Sequence, residues 1–446
     1  MNGRTAFALL VATMAVVVVA SAAAGPAAGP QQQGQLELVS VSSSGQQGNN
    51  DSQSAAISPD GRFVVFSSLA DNLVPGDTNF SFDVFLRDRR NDTTERVSVG
   101  PLGVQGDDNS GLGSFFDGPA VSADGRFVAF SSGATNFAPA GTDTNQNQDV
   151  FVRDRLNGTT ELISVGLDGK AASGTEPAIS ADGRFVSFTS SGDTLVPGDD
   201  NFASDIFVRD RLRGTTERVS VDSNGTQVSQ GSFASALSAD GRFVAFDSFS
   251  GNLVAGDKND SVDVFVHDRR TGATEGISTR TSCDPTIGDI CGNSLLSSIT
   301  PDGRFVGFSS AQQNLVPGDT DFFQDAFVVD RRTNGIRLLS RSGSGVKGND
   351  DSVAPLVQFD GLGAVFSSRA SNLVPGDTNQ QQDVFDRDVV PPGTDRIAAD
   401  RSGQFPVTAD DMTPNSTDVA LETRAALRPE QDVGIFALDI YILRDS

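Results

Sequence analysis

Six short segments carry acids and amides at a spacing suited to holding a cation. Their first, third and seventh positions are Asp77, Asn79 and Asp83; Asp143, Asn145 and Asp149; Asp199, Asn201 and Asp205; Asp257, Asn259 and Asp263; Asp319, Asp321 and Asp325; and Asp377, Asn379 and Asp383. Calcium favours several oxygen donors drawn from one flexible turn, so it is the candidate cofactor of these loops. A second reading needs no ion: loop Asp and Asn bond their own backbone and build turns, and an aspartate opening a strand can hold nearby amides. The segments lack the fifth-position acid and closing glutamate of an EF-hand.

Other chemistry is thin. Histidine occurs once, at His267, in a slot where related segments carry Arg87, Arg153 and Arg209, which predicts a surface substitution. No nucleophile pairs with it in any recognisable arrangement, which argues against triad-type catalysis. Acids are plentiful, so a carboxylate-based carbohydrate-active enzyme is the catalytic alternative. The recurring Arg87-Asp88-Arg89 reads as a solvated girdle of ion pairs. Cys283 and Cys291, eight residues apart in an enlarged loop, are expected to form a disulfide. Two thiols and one distant histidine fall short of a zinc site.

What positions the six loops is a repeat. The string DGRFV starts at Asp60, Asp124, Asp182, Asp240 and Asp302, with a worn copy from Asp360 to Val365. Each copy is followed by one of the acidic loops, so two independent strings keep one phase of roughly 58 residues. Within the first unit, Ser54-Ala55-Ala56-Ile57 is a small-residue strand entering the turn Pro59-Asp60-Gly61. Phe63-Val64-Val65-Phe66 and Val84-Phe85-Leu86 are apolar on both faces and predict two strands buried on both sides. Glu95-Arg96-Val97-Ser98-Val99 alternates, as a half-solvated outer strand does. Small, then apolar, then amphipathic is the gradient of a β-propeller blade: the inner strands crowd an axis and the outermost meets water.

Closure follows from an unpaired strand. Glu37-Leu38-Val39-Ser40-Val41 matches the fourth strand of a unit yet precedes the first complete one, and the sixth unit has its own fourth strand around Asp395-Arg396-Ile397. Val407-Thr408-Ala409-Asp410-Asp411 and Asp439-Ile440-Tyr441-Ile442-Leu443-Arg444-Asp445 echo the first and third strands of a seventh, degenerate unit. The expected fold is therefore all-β, a propeller of four-stranded blades. Seven blades closed by the N-terminal strand are favoured over six blades with a tail, the tail then lying within residues 389–446.

The chain opens with an arginine, an apolar run from Ala6 to Ala20 and the small residues Ser21 to Ala24, the pattern of a signal peptide over residues 1–24. A linker at 25–34 and one propeller domain at 35–446 complete the expected organisation, with no membrane span after cleavage. A formal charge of -25 excludes a phosphate-binding surface and hence nucleic acid.

The stretch SPDGRFVVFSS at Ser58 to Ser68, with its copies, resembles the WD-like propeller repeat of the TolB family over most of residues 50–388. The resemblance implies an exported bacterial propeller, secreted or periplasmic, that binds proteins. The long acidic loop departs from the short turn usual in that family, and the family's separate α/β domain has no counterpart. The acidic loops also loosely resemble the calcium loops of integrin-type propellers. The expected function is a monomeric, non-catalytic scaffold for a protein or glycan; a structural cell-envelope protein is a further alternative. Loops in which one unit differs from the rest, Asp107 to Asp117 and Cys283 to Cys291, are where specialisation is expected.

Overall fold

A computed structural model describes residues 35–111, 118–257, 259, 261–279, 292–313, 315–389, 392–398, 406–414, 418–424 and 438–444. The expected signal peptide and linker, and Cys283 and Cys291 with the enlarged loop, lie outside the described residues. The described residues form seven four-stranded antiparallel sheets, the blades of a β-propeller. Blade 1 consists of Ser52–Ile57, Phe63–Ser68, Asp83–Asp88 and Thr93–Arg96, paired in that order from the axis outward. Blades 2 to 6 repeat the order.

The seventh blade joins the first and last described strands. Val407–Met412, Asp418–Thr423 and Asp439–Arg444 supply three strands, and Gln35–Leu38 adds the fourth in the register Gln35↔Arg444 to Leu38↔Tyr441. The N-terminal strand thus completes the last blade and removes the open edge. The ring has seven blades, and the described residues from 407 onward belong to a blade rather than a tail.

The core lies between blades. Phe63–Ser68 and Asp83–Asp88 bury every residue, as their apolar runs require. Val65, Val84 and Leu86 of blade 1 pack with Val128, Phe130 and Phe151 of blade 2, and Val64, Phe66 and Phe85 pack with Ala420, Ile440 and Ile442 of blade 7. Seven apolar clusters fill the seven seams. Within blades 1 to 6 a phenylalanine pair joins the second and third strands at 5.4–6.1 Å, which is how a chain without tryptophan builds aromatic cores.

The DGRF string is legible as seam chemistry. In blade 1, Asp60 accepts hydrogen bonds from Ser58 Oγ at 2.7 Å and the Arg62 amide at 3.1 Å, which shapes the turn. The following glycine is demanded by the neighbour: Gly125 has φ +69, and a Cβ there would lie 2.2 Å from the ring of Phe63 in blade 1. Arg62 forks onto Asp88 at 3.0 and 2.7 Å. Arg155 reaches back from blade 2, with its guanidinium 5.1 Å from the Phe63 ring centroid, and also pairs with Glu95 and donates to the Gly125 carbonyl. Arg211, Arg269 and Arg331 repeat this clasp. At the closing seam Arg89 binds Glu37 at 2.7 Å and Asp418 at 3.2 Å.

Three sequence expectations are corrected here. The arginine girdle is not solvated: the Arg89 side chain is 6% exposed, because the clasp lies between blades. His267 is buried rather than superficial, its Nδ1 2.9 Å from Thr274 Oγ1, and burial holds its pKa below the usual value. The outer strand ends at Arg96, earlier than its alternation implied. Val97 and Val99 beyond it are buried because the chain is already crossing to the next blade.

Candidate functional site

The six acidic loops each join the second strand of a blade to the third, so the ring's topology puts them on one face. The seventh position opens the third strand and is fully buried in every case. In five of the six loops a serine on the chain leaving the fourth strand binds this aspartate, and blade 6 has Ala398 in its place. Ser98, Ser164, Ser220, Ser278 and Ser340 donate to Oδ1 of Asp83, Asp149, Asp205, Asp263 and Asp325 at 2.5–2.8 Å. Blade 7 uses the same device, Ser40 to Asp439 at 3.0 Å.

The second carboxylate oxygen and the first-position aspartate face a shared point, and four loops place the protein's own cation there. In blade 1, Arg96 Nη1 lies 3.2 Å from Asp77 and 3.1 Å from Asp83, while Gln105 donates to Asp77 at 2.9 Å and Asn79 to Asp83 at 3.3 Å. In blade 3, Arg218 Nη1 lies 3.1 Å from Asp199 and 3.8 Å from Asp205, with Asn201 donating to Asp205. In blade 6, Arg396 Nη1 lies 3.1 Å from Asp377 and 3.0 Å from Asp383, with Asn379 donating to Asp383. Blade 5 has Leu338 at the arginine position. Its cation is Lys347, from the crossing to blade 6, at 3.6, 2.8 and 2.6 Å from Asp319, Asp321 and Asp325. Burial nevertheless pushes Asp319 and Asp383 up to about 6.

Blades 2 and 4, like blade 5, lack the arginine. Blade 4 has Gly276 in its place, and Asn259 Nδ2 donates to Asp263 Oδ2 at 2.8 Å. Blade 2 has Leu162 in its place, and Ala171 where blade 1 has Gln105. There both oxygens of Asp143, Oδ2 of Asp149 and Nδ2 of Asn145 have no hydrogen-bond partner. The Asn145 backbone amide beside Asp143, and the Asn145 side chain and Ser173 backbone amide beside Asp149, lie close enough to lower the carboxyl pKa values, yet without ordinary hydrogen-bond geometry, and burial outweighs them. Asp143 is raised and Asp149 is pushed up to about 6. The same loop lines a pocket of about 360 Å³ through Gln146, Asn147 and Gln148, with Asp108, Asn109 and Thr135 opposite.

Sequence reasoning missed the fourth loop position. Phe80 and Phe202 are 87% and 93% exposed with φ of +57 and +55, and Phe322 is 63% exposed. Blades 2 and 6 have Gln146 and Gln380 there, also at positive φ. A phenylalanine inside an otherwise polar turn was the available signal.

Buried acids elsewhere serve the frame. The innermost strand of blade 1 bulges at Ser54, φ +55, which frees backbone amides from the ladder. Glu422, Asp410 and Asp411 of blade 7 accept from Ser54, Ala55 and Ile57 at 2.9, 3.0 and 2.8 Å. Burial raises all three carboxyls, Asp411 to about 6, and the charge of Glu422 adds to the rise at Asp410. Glu176 and Asp247 do the same work at two other seams, for Ala234 and Leu296. His267 is committed to Thr274.

No family model matches this sequence, and no curated protein matches it. Solved structures do. The β-propeller domain of the Trilobed protease from Pyrococcus furiosus is similar at 10% identity and TM-score 0.54, over 88% of this chain and 95% of that one. An oligogalacturonate lyase in complex with manganese is similar at 12% identity and TM-score 0.51, over 90% of each chain. A putative TolB from Agrobacterium tumefaciens matches at 15% identity and TM-score 0.40, over 66% of this chain and 82% of that one. What the chain has in common with these proteins is the β-propeller fold.

Proposed function

We propose that this protein is an exported, non-catalytic propeller scaffold that binds a neutral glycan through the face carrying the acidic loops. The observation that carries the reading is the exposed phenylalanine at the loop tip of three blades, Phe80, Phe202 and Phe322. At Phe80 and Phe202 the backbone lies in the left-handed region, which costs a non-glycine residue about 1–2 kcal/mol. An apolar ring held there in water gains nothing from the fold, which points to a ligand. Sugar rings offer flat apolar faces to phenylalanine, and the amides and carboxylate of the blade 2 pocket suit hydroxyl groups. The charge of -25 disfavours polyanionic ligands. Export rests on the signal-peptide pattern of residues 1–24. No helix among the described residues is long and apolar enough to cross a membrane.

The test is binding to immobilised neutral polysaccharides by the wild-type chain and by the triple variant Phe80→Asn, Phe202→Asn, Phe322→Asn. Asparagine tolerates the positive φ of Phe80 and Phe202, and the Phe322 ring is exposed, so the variant should melt no lower than wild type while binding at least about tenfold more weakly. Unchanged binding would remove this face from the reading. Retention on envelope proteins but on no polysaccharide would move the ligand to a protein.

A further inference from the structure

Four of the six acidic loops contain an internal control for what the blade 2 loop lacks. At the same point of the fold, arginine fills blades 1, 3 and 6 and lysine fills blade 5, each within hydrogen-bond or ion-pair reach of the two aspartates. The loop therefore folds around a positive charge. Blade 2 keeps the aspartates and replaces the cation and its supporting amide with Leu162 and Ala171. Asp143 is 7% exposed, Asp149 is fully buried, and three of their four oxygens have no partner.

Two desolvated carboxylates with idle oxygens are costly unless a cation joins them. We propose that the blade 2 loop is a divalent-cation site, built by both oxygens of Asp143 and Oδ2 of Asp149, and that its ion is calcium. The donors are all hard oxygens with no histidine or thiol nearby, which selects calcium or magnesium over the transition metals. Calcium accepts an irregular oxygen set completed by water, whereas magnesium demands near-ideal octahedral geometry. The double charge of the ion matches the two carboxylates, where the sister loops combine one positive side chain with side-chain amides. Gln146, Asn147 and Gln148 lie between the ligands, so the ion would also stiffen one wall of the neighbouring pocket.

The experiment is calcium titration calorimetry on the chain from Gly25 onward, together with melting curves in chelator and in calcium. Calcium at roughly 10 mM exceeds the ~0.1–1 mM dissociation constants common among extracellular modules. It should raise the wild-type melting temperature by several degrees, and magnesium by less. Leu162→Arg installs the sister blades' cation. It should abolish this binding event and raise the melting temperature measured in chelator. Asp143→Asn keeps shape and volume, and should weaken calcium at least tenfold. No heat and no shift in the wild type would overturn the proposal, and would mean that the two carboxyls share a proton instead. Calcium binding left unchanged by both Leu162→Arg and Asp143→Asn would also overturn it, by placing the ion elsewhere.

Discussion

Arg96→Leu in blade 1 recreates in one residue the composition of the blade 2 loop, and its effect can be worked from the structure. The guanidinium lies 3.2 and 3.1 Å from Asp77 and Asp83, all three side chains being at most 10% exposed. Removing one partner of such a buried ion pair costs about 3–5 kcal/mol, because the remaining charges stay desolvated. Gln105, Asn79 and Ser98 still donate to these carboxylates, which places the expected loss near the lower figure. Burial already raises the pKa of both aspartates, and losing the arginine raises them further. The native state then holds protons that the unfolded chain releases, so the defect grows as pH rises above 3.8 and shrinks in acid. Urea denaturation followed by far-ultraviolet circular dichroism in chelator at pH 7 and pH 5 measures both terms, since a chain without tryptophan has little intrinsic fluorescence. A variant within about 1 kcal/mol of wild type at pH 7, or one with the same deficit at both pH values, would refute the assignment of Arg96 as the loop's counter-ion.

Three further outcomes are expected. Removing the N-terminal chain through Val41 opens blade 7 and the ion pairs from Arg89 to Glu37, and should lower the melting temperature steeply relative to a chain beginning at Gly25; equal melting points would contradict closure by this strand. Stability should fall on both sides of a mildly acidic optimum, which a melting profile against pH reads directly. Arg126 holds Asp154 down at about 2, so its contribution is lost as pH drops from 3.8 toward that value. Asp411, raised to about 6, withdraws its own as pH climbs from 3.8 toward 6, and Asp411→Asn should flatten that limb. Gly125→Ala forces both an unfavourable φ and a clash with Phe63, and should destabilise by more than about 2 kcal/mol in denaturant titration, whereas Gly76→Ala, with open space around it, should cost less.

The repeat, the four strands of each blade and the closure by the first strand were legible because they are periodic and local. Two strings in one phase locate every blade, and a strand without a partner in its own unit must complete another. The counter-ions of the loops were less legible. Arg96 lies 13 residues beyond Asp83 and Lys347 lies 22 beyond Asp325, and only the ladder register and the crossing to the next blade bring them back. Leu162, Gly276 and Leu338 mark the three units that lost the arginine of the others, and in blade 5 Lys347 replaces it.

The amino-acid sequence by itself determined the architecture, since hydrophobic period, turn residues and repeat phase act over a few residues and favour the arrangement in which every blade has four strands. Tertiary structure alone decided where charges are dry. His267 is buried by the fourth strand and by the chain arriving from the previous blade, Arg89 by the seam it clasps, and Asp143 and Asp149 by a loop that closes with no cation of its own. Burial of a charged group is set by neighbours remote in sequence, and whether that group is paired depends on a register that no single unit contains.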